Sequence, residues 1–570
     1  MGADLCPFSG SEKEIPNITE SHNFDDQLKA DTFPHRLFSN DISEKAHEPR
    51  KRTKSFYFVL FFGVIPVWSV IPLSWAYVSY ALYSGLIWIP DWRWRSLFAL
   101  AASEVLFSIY YFCMSHYIAG PSPMATNSLA ELQAAYARVL RAGMGIQTIG
   151  KPEEERQAIP CLLDEEITAL DPMDPRAVDF RNFLRNWFGR VPWSSIRREN
   201  VYIWLYWSIF NETFTTMDDI PRTKRRLLDE TVELLERRAG MKFPGGFNPE
   251  VSTLRLTVDP VTTAARPLVW YLVVSVVNWG LRWRLESKWH ARRGTFEGLD
   301  YILRIPPDWS PSTGQRPVVF MHGLGLGLFQ YAHFLETIFK AEPDRPFLVP
   351  LFPFVSQEIF HPRYLRPIGR QESAKLIGGL LKELGWVDKD DTEHEAESSE
   401  EKTVKPKPRT GVTMLSHSNG TFIHCWLLKA HPKMITRSCF VDPVVFCQWE
   451  GDLCYNFCYR PCATGIELII KYFVGMELGV AYYIQRHFCW SSNTLWYDEI
   501  PNAHDPNKAM FILGGKDDLV NGPRVRRYLQ SHGIDRGLYY NPLGRHGQAL
   551  LTNDQAFSEV LKWLREPTTP

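Results

Sequence analysis

The longest stretch without a charged side chain lies near the N-terminus of the chain. From Ser55 to Pro90 there is no Asp, Glu, Lys, Arg or His, and Phe, Val, Ile, Trp and Tyr dominate. A single helix over this stretch would be about 54 Å long, whereas the hydrocarbon layer of a bilayer is roughly 30 Å thick. We therefore expect it to enter a membrane, with a kink or tilt at Pro66 and Pro72 or with only part of it crossing.

A second apolar stretch runs from Ser96 to Gly120 and is interrupted by Glu104 and His116. It is joined to the first stretch by the sequence Asp-Trp-Arg-Trp-Arg at 91–95, whose charged and aromatic side chains suit the headgroup layer. Two apolar stretches with a short polar connection are typical of a transmembrane hairpin. The pattern predicts such a hairpin over residues 55–120.

The charges around the hairpin predict its orientation. Residues 50–54 are almost all basic, whereas the short turn carries only Arg93 and Arg95. The positive-inside rule then places the N-terminus in the cytosol, and two crossings return the rest of the chain to the same side. An internal membrane such as the endoplasmic reticulum fits this arrangement, because residues 1–54 contain no apolar segment of a signal peptide.

A third apolar stretch, Pro267 to Leu281, leaves two interpretations open. It is short for a crossing and has Arg266 and Arg282 at its ends, which favours a buried or interfacial helix. The alternative is a true span, which would move the C-terminal half of the chain to the lumen.

The segments around these stretches differ in composition. Residues 1–54 are polar and charged and predict a disordered cytoplasmic tail. Residues 121–299 contain helical patterns without a catalytic motif and predict a helical linker region. Residues 388–409 are dominated by Asp, Glu, Lys and Ser and predict a disordered surface insertion.

From Thr295 onward, short apolar strands alternate with helical patterns, which predicts an α/β fold for residues 300–570. The strand candidates are Tyr301–Ile305, Pro317–Met321, Gly411–Leu415, Ala509–Leu513 and Leu538–Tyr540. Residues 444–508 interrupt the pattern with a segment rich in Phe, Tyr, Trp, Cys and Ile, which predicts an apolar helical cap.

Composition narrows the classes of function. The chain has 570 residues with 63 Lys and Arg against 64 Asp and Glu, so it lacks the basic excess of nucleic-acid-binding proteins. Aromatic residues make up 14% of the chain, but the mean hydropathy of -0.21 excludes a polytopic membrane protein. We therefore expect a bilayer as a partner of part of the chain and no nucleic acid.

Cysteines recur every fourth residue at Cys454, Cys458 and Cys462. On a helix this spacing forms one stripe that could bind a metal or accept acyl chains, but small apolar residues on a packed helix face are the simpler and favoured interpretation. We expect reduced thiols.

The sequence Ser416-His417-Ser418-Asn419-Gly420 follows a strand candidate and precedes a helical pattern. A sharp strand-to-helix turn crowds its backbone, requires small flanking residues and exposes the central hydroxyl. Ser418 is therefore the candidate nucleophile. The N–H of Asn419 lies at a helix start, where it suits an oxyanion together with the N–H of Leu324 in the glycine-rich loop 322–327.

Two further strand ends carry the partners that a serine nucleophile needs. Asp517 follows Gly514 after one strand, and His546 lies between Arg545 and Gly547 after the next. A hydroxyl nucleophile requires a general base, and that histidine requires a carboxylate that fixes its tautomer. The glycine-rich loop lacks the Lys-Ser/Thr of a phosphate-binding loop, so nucleotide binding is disfavoured.

These motifs resemble those of the α/β-hydrolase superfamily over residues 300–443 and 509–565. The resemblance implies Ser418 as nucleophile, His546 as base and acid, Asp517 as the orienting carboxylate, and Leu324 and Asn419 as the oxyanion hole. Asp442 is an alternative acid, because some members place the carboxylate after the preceding strand. The resemblance implies no cofactor and no metal, and a serine in place of an aspartate argues against epoxide or haloalkane hydrolysis.

The sequence therefore predicts a membrane-anchored serine hydrolase that acts on carboxylic esters, lipid esters included, through an acyl-enzyme. Acyl transfer on the same triad is an alternative, which the absence of a His-x4-Asp pattern disfavours. A non-catalytic membrane scaffold that retains the fold is a further alternative.

Overall fold

A computed structural model describes residues 41–86, 91–124, 128–142, 169–311, 314–388, 411–551 and 554–565. The first forty residues of the expected tail, and all but the first residue of the expected insertion at 388–409, lie outside the described residues. The described part contains an N-terminal pair of long helices, a helical region, and an eight-stranded sheet flanked by helices.

The two N-terminal helices, α1 (Lys54–Tyr83) and α2 (Trp92–Ile118), are long and apolar enough to cross a membrane. They pack against each other, and the Trp75 Nε1 of α1 donates to the Ser108 Oγ of α2 at 3.0 Å. A π-helical turn at Leu60–Val64 precedes Pro66. Because proline has no backbone N–H, the hydrogen-bond pattern of the helix must change at this point. Large apolar side chains of both helices are exposed along their length, including Phe58, Phe62, Trp68, Leu73, Tyr80, Leu100, Leu106 and Phe112.

Between the hairpin and residue 240, the described residues form four α-helices. They are α3 (Leu129–Arg141), α4 (Pro175–Leu184), α5 (Arg198–Phe210) and α6 (Arg222–Ala239). Their buried side chains belong to the same hydrophobic core as much of the sheet domain. This region is therefore an integral layer of the protein and not the linker that the sequence predicts.

The expected disordered tail is wrong for residues 41–54. The carboxylate of Asp41 is fully buried against the guanidinium of Arg181, and Ser43 is buried beside it. Arg50 pairs with Glu467 of the cap at 2.6 Å. Their polarity alone predicts a solvated segment. They are ordered because their charged and polar groups form hydrogen bonds and ion pairs with residues far along the chain.

The sheet has the strand order β1-β2-β4-β3-β5-β6-β7-β8. β1 pairs antiparallel with β2 and β2 with β4, and the remaining pairs are parallel. The strands are β1 (Arg292–Phe296), β2 (Leu299–Arg304), β3 (Val318–Met321), β4 (Phe347–Pro350), β5 (Val412–His417), β6 (Ile435–Val441), β7 (Ala509–Gly514) and β8 (Leu538–Asn541).

The sheet begins before residue 300, where the sequence pattern placed the start of this domain. β1, with the sequence Arg-Arg-Gly-Thr-Phe, is an edge strand whose side chains are exposed or half-buried. Such a strand lacks the apolar alternation that identifies buried strands, so the pattern does not reveal it.

Helices cover both faces of the sheet. They are α7 (Leu268–Trp289), α8 (Ala332–Ala341), α9 (Arg370–Glu383), α10 (Gly420–Ala430), α15 (Gly522–Ser531) and α16 (Gln555–Arg565). The cap between β6 and β7 adds α11 (Asp452–Cys454), α12 (Gly465–Ile469), α13 (Leu478–Arg486) and α14 (Trp490–Asn493), with π-helical turns at Tyr455–Tyr459 and Ile470–Gly475.

The third apolar stretch forms α7, which extends to Trp289, beyond the stretch that the pattern marks. Among the described helices, α1 and α2 meet the length and apolarity of a membrane span, and α7 does not. One side of α7 packs on the sheet domain through Leu281 and Leu285.

Candidate active site

Ser418 lies at the turn between β5 and α10 with a φ of +51°. A non-glycine residue rarely adopts this conformation, and it stores strain at this position. A Cβ on Gly420 would lie 2.2 Å from the carbonyl oxygen of Met321, so only glycine fits two residues after the serine. The glycine of the motif is therefore explained by the close approach of β3 to the turn.

The structure brings Ser418, His546 and Asp517 together from three distant strand ends. His546 Nε2 is 2.9 Å from Ser418 Oγ, and His546 Nδ1 is 2.7 Å from Asp517 Oδ2. Asp517 Oδ1 accepts the N–H groups of Leu519 and Val520 at 2.8 and 2.9 Å. Its carboxylate is thereby fixed with one oxygen on the backbone and the other on the imidazole.

Asp442, the alternative acid, takes a different place. It follows β6 with a φ of +44°, is buried, and its Oδ2 accepts the N–H of Gly547 at 2.7 Å. It therefore holds the backbone of the loop that carries His546, and it is Asp517 that holds the ring.

Charge around His546 changes its pKa. Burial alone would lower the pKa of the imidazole, but the Asp517 carboxylate, with smaller contributions from Asp442 and Asp518, raises it to about 9. Burial and the nearby Asp517 in turn raise the pKa of Asp442. The imidazolium is thus the form that this environment stabilises, as a general base requires after it has taken a proton.

Asp442, Asp517 and His546 are also a group among the described residues whose ligand atoms are close enough for a metal ion, within 4.8 Å of one another. However, both ring nitrogens of His546 already have hydrogen-bond partners in Ser418 and Asp517. A metal ion bound by this ring would have to replace one of these hydrogen bonds.

The glycine-rich loop after β3 passes beside the elbow, the strand-to-helix turn that carries Ser418 between β5 and α10. A Cβ on Gly323 would lie 3.0 Å from the Cβ of Ser418. The loop is fixed by Gln330 Nε2, which donates to the Leu324 carbonyl at 2.9 Å, and by the Gly325 N–H, which donates to the Val355 carbonyl at 3.0 Å. In the described part of the chain, the N–H groups of Leu324 and Asn419 donate to no protein acceptor, as an oxyanion hole requires.

The sequence motifs predict no role for two polar residues of the site, Tyr331 and His417. The hydroxyl of Tyr331 accepts the Gly323 N–H at 2.8 Å and is hydrogen-bonded to His417 Nδ1, 2.8 Å away. His417 is buried, and its ring centroid is 5.3 Å from that of His546. Burial, followed by the nearby His546, lowers the pKa of His417 far below its usual value. Tyr331 thus links the loop to the elbow through a neutral histidine.

A second serine–histidine pair lies beneath the elbow. Ser416 Oγ is 2.8 Å from His424 Nδ1, and His424 Nε2 is 3.0 Å from Ser438 Oγ. These side chains are buried, and burial lowers the pKa of His424 to about 3. The pair braces the strand and cannot meet a substrate.

The cap closes over the elbow. Val444, the first residue of the cap, donates its N–H to Thr421 Oγ1 at 3.1 Å, and Ser418 is only 8% exposed. Ser418 is therefore largely shielded from solvent.

The cysteine stripe is packed rather than open. Cys454 is buried, Cys458 and Cys462 are half-buried, and all three are free thiols. Burial raises the pKa of Cys458 to about 12, whereas a metal ligand must be a thiolate. The described residues support the simpler interpretation of small apolar residues in a packed face.

The strand order, the elbow and the helical cap together define an α/β-hydrolase fold for residues 292–565. No protein-family model and no curated protein sequence matches the chain.

Similar solved structures include carboxylesterase CesB from Bacillus subtilis, at 10% identity and a TM-score of 0.32 over 52% of this chain and 99% of that chain. A bacterial membrane phospholipase A is similar at 10% identity and a TM-score of 0.30, over 52% of this chain and 96% of that chain. A peroxisomal α/β-hydrolase from Saccharomyces cerevisiae is similar at 14% identity and a TM-score of 0.29, over 47% and 80%. At these TM-scores the likeness says nothing about activity, and the fold class rests on the strand order and the elbow.

Proposed function

We propose that the chain is a membrane-anchored serine hydrolase that cleaves carboxylic esters, lipid esters included, through the triad Ser418, His546 and Asp517. The observation that carries this proposal is the pair of hydrogen bonds at 2.9 and 2.7 Å that joins the three side chains. Neither hydrogen bond is a local contact, because the Ser418–His546 bond joins residues separated by 128 positions and the His546–Asp517 bond joins residues separated by 29.

The reaction proceeds in two halves. Ser418 Oγ attacks the ester carbonyl while its proton passes to His546 Nε2, and the Leu324 and Asn419 N–H groups stabilise the oxyanion. The tetrahedral intermediate collapses, His546 protonates the departing alcohol, and an acyl-Ser418 ester remains. Water then attacks this ester, gives its proton to His546, and releases the carboxylic acid with the serine restored.

A lipid ester as substrate is supported by the surroundings of the site. The apolar hairpin of α1 and α2 is joined to the catalytic domain, and the cap that covers Ser418 is rich in aromatic residues. The hairpin anchors the chain, with the catalytic domain in the cytosol according to the basic residues before α1. Substrates are therefore drawn from the membrane rather than from water.

An active-site-directed fluorophosphonate tests the proposal directly. We expect the probe to label the wild-type protein and to fail with Ser418→Ala, since the phosphonyl group reports an activated serine. Ser416→Ala is the matched control, because Ser416 lies two residues before Ser418, in β5, and is buried against His424. It should label as wild type does, and labelling in gels is the measurement. A wild-type protein that stays unlabelled would favour the scaffold.

The pH dependence of turnover provides a second test. His546 must be neutral to accept the serine proton, and its pKa is raised to about 9. We therefore expect kcat/KM for a soluble ester to rise with pH along a limb well above 6.5 and to fall toward neutrality. Asp442→Asn removes one nearby negative charge and should shift this limb to lower pH. The measurement is kcat/KM between about pH 6 and pH 10, corrected for spontaneous hydrolysis. A limb near 6.5, unchanged by Asp442→Asn, would contradict the charge assignment.

A further inference from the structure

One face of α7 presents an uninterrupted apolar surface to the outside of the protein. At 100° per residue its members fall within one third of the helix circumference. They are Val269, Leu272, Val273, Val276, Trp279 and Trp283, and each is at least 41% exposed. The opposite side is buried through Tyr271, Asn278, Leu281 and Leu285. A helix that is apolar on both sides is atypical of a protein surface in water.

This face is continuous with the membrane hairpin. Glu104, halfway along α2, caps the N-terminus of α7 by accepting the N–H groups of Leu268 and Val269 at 2.6 and 2.8 Å. The rings of Phe107 and Tyr271 pack at 5.5 Å just below. From Glu104 to the end of α2 is about 21 Å, so the catalytic domain flanks the second half of this helix.

The depth of this contact identifies what covers the face. If α2 crosses the bilayer, its midpoint lies among the acyl chains, and the start of α7 lies at the same depth. The other end of α7 carries Trp279 and Trp283 followed by the exposed Arg284 and Lys288, the sequence of groups that marks the headgroup layer. A soluble protein partner could not reach the first end, whereas lipid does.

We propose that α7 lies obliquely in the leaflet next to the catalytic domain, with its apolar face among the acyl chains and its two tryptophans at the headgroups. The helix neither crosses the membrane nor lies buried within protein. This inference rests on the membrane anchoring in the proposed function and adds a second, independent lipid contact.

The buried side of α7 connects this contact to the active site. Asn278 Nδ2 donates to the Leu326 carbonyl at 2.8 Å, and Asn278 Oδ1 accepts the Phe329 N–H at 3.1 Å. Asn278 is only 2% exposed. In the sequence it lies between Val276 and Trp279 of the lipid-facing surface, but its side chain is on the opposite, buried side of α7. The loop that carries the Leu324 N–H is therefore bound to a helix seated in lipid, which places Ser418 at the membrane surface.

A measurement of depth in the membrane tests the position of α7 independently of catalysis. A fluorescent amino acid is introduced at position 276 of the full chain, in phosphatidylcholine vesicles whose acyl chains carry a nitroxide quencher. We expect strong quenching at 276, weaker quenching at 287 near the end of the helix, and none at 226 on the exposed surface of α6. Equal quenching at 276 and 226 would overturn the proposal.

A charge on the same face tests its use in turnover. Val276→Glu should lower the hydrolysis of a long-chain ester presented in vesicles about tenfold, because a carboxylate among acyl chains is costly. The rate on a soluble acetate ester should stay within about twofold of wild type, because this substrate does not come from the membrane and the mutation leaves the triad intact. Ser287→Glu, one turn beyond Trp283 on the same face, should change neither rate.

The two tests separate this proposal from the proposed function. If fluorophosphonate fails to label the wild type but position 276 is quenched, the hydrolase proposal falls and the lipid contact stands. If labelling succeeds but 276 is unquenched, or if Val276→Glu and Ser287→Glu behave alike on vesicles, the hydrolase stands and the lipid contact falls.

Discussion

Replacing His546 by alanine is expected to lower kcat on a soluble ester by about 10⁶-fold, the largest effect of any substitution outside the serine itself. The imidazole takes the proton of Ser418 at 2.9 Å and returns it to the leaving alcohol, so both halves of the reaction lose their proton carrier. The measurement is kcat under saturating substrate, with fluorophosphonate labelling rates as a second readout.

The triad acts as a unit, which supplies the control for this prediction. The double variant Ser418→Ala with His546→Ala should be no slower than either single variant, because each change alone already removes the activated nucleophile. A His546→Ala protein within about tenfold of wild type would assign the base to another group and dismantle the proposed mechanism.

Asp517→Asn is expected to lower kcat by about 10⁴-fold. Because the N–H groups of Leu519 and Val520 bind one oxygen of residue 517, an asparagine would keep its carbonyl there and turn its NH₂ toward His546. That amide would donate to Nδ1 and force the proton onto Nε2, the nitrogen that must accept from Ser418. Folding should be unchanged, so the loss is measured as kcat at an unaltered melting temperature.

Asp442→Asn is the matched comparison for this substitution. The asparagine oxygen can still accept the Gly547 N–H, and the ring of His546 keeps its bond to Asp517. We expect a loss of less than about tenfold, since only a neighbouring charge is removed. The reverse order of effects would make Asp442 the orienting acid and Asp517 a support of its loop.

Sequence motifs identified the parts of the site that recur at strand ends. Ser418, Asp517 and His546 each follow an apolar strand with small or charged neighbours, and parallel strands bring such ends to one edge. The spacing of Asp517 from Gly514 favoured Asp517 as the orienting acid, but both aspartates follow a strand, and the motifs did not predict that Asp442 binds the loop backbone. The hydrogen bonds of the folded chain give the two carboxylates their different positions.

Residues whose roles depend on contacts with distant parts of the chain could not be recognised from the sequence pattern. Tyr331 and Asn278 lie in segments that read as ordinary helix, yet one holds Gly323 and the other holds the loop at Leu326. Asp41 reads as part of a polar tail, although Arg181 buries it. Periodicity reports which side chains are apolar, whereas these roles depend on which polar group meets which at long range.

The buried carboxylate of Glu104 has a consequence for how the protein can be divided. From within the hairpin, Glu104 accepts the first two N–H groups of α7. Arg486, in the cap between β6 and β7, donates to the carbonyl of Gly120 just beyond α2 at 2.7 Å. Removal of the first 120 residues would take the N-terminal cap from α7, remove the carbonyls of Ala119 and Gly120 that accept from the Arg486 guanidinium, and expose the rings around Tyr271. The hairpin and the sheet domain thus share buried contacts, and we expect a fragment that lacks residues 1–120 to unfold more readily than the full chain.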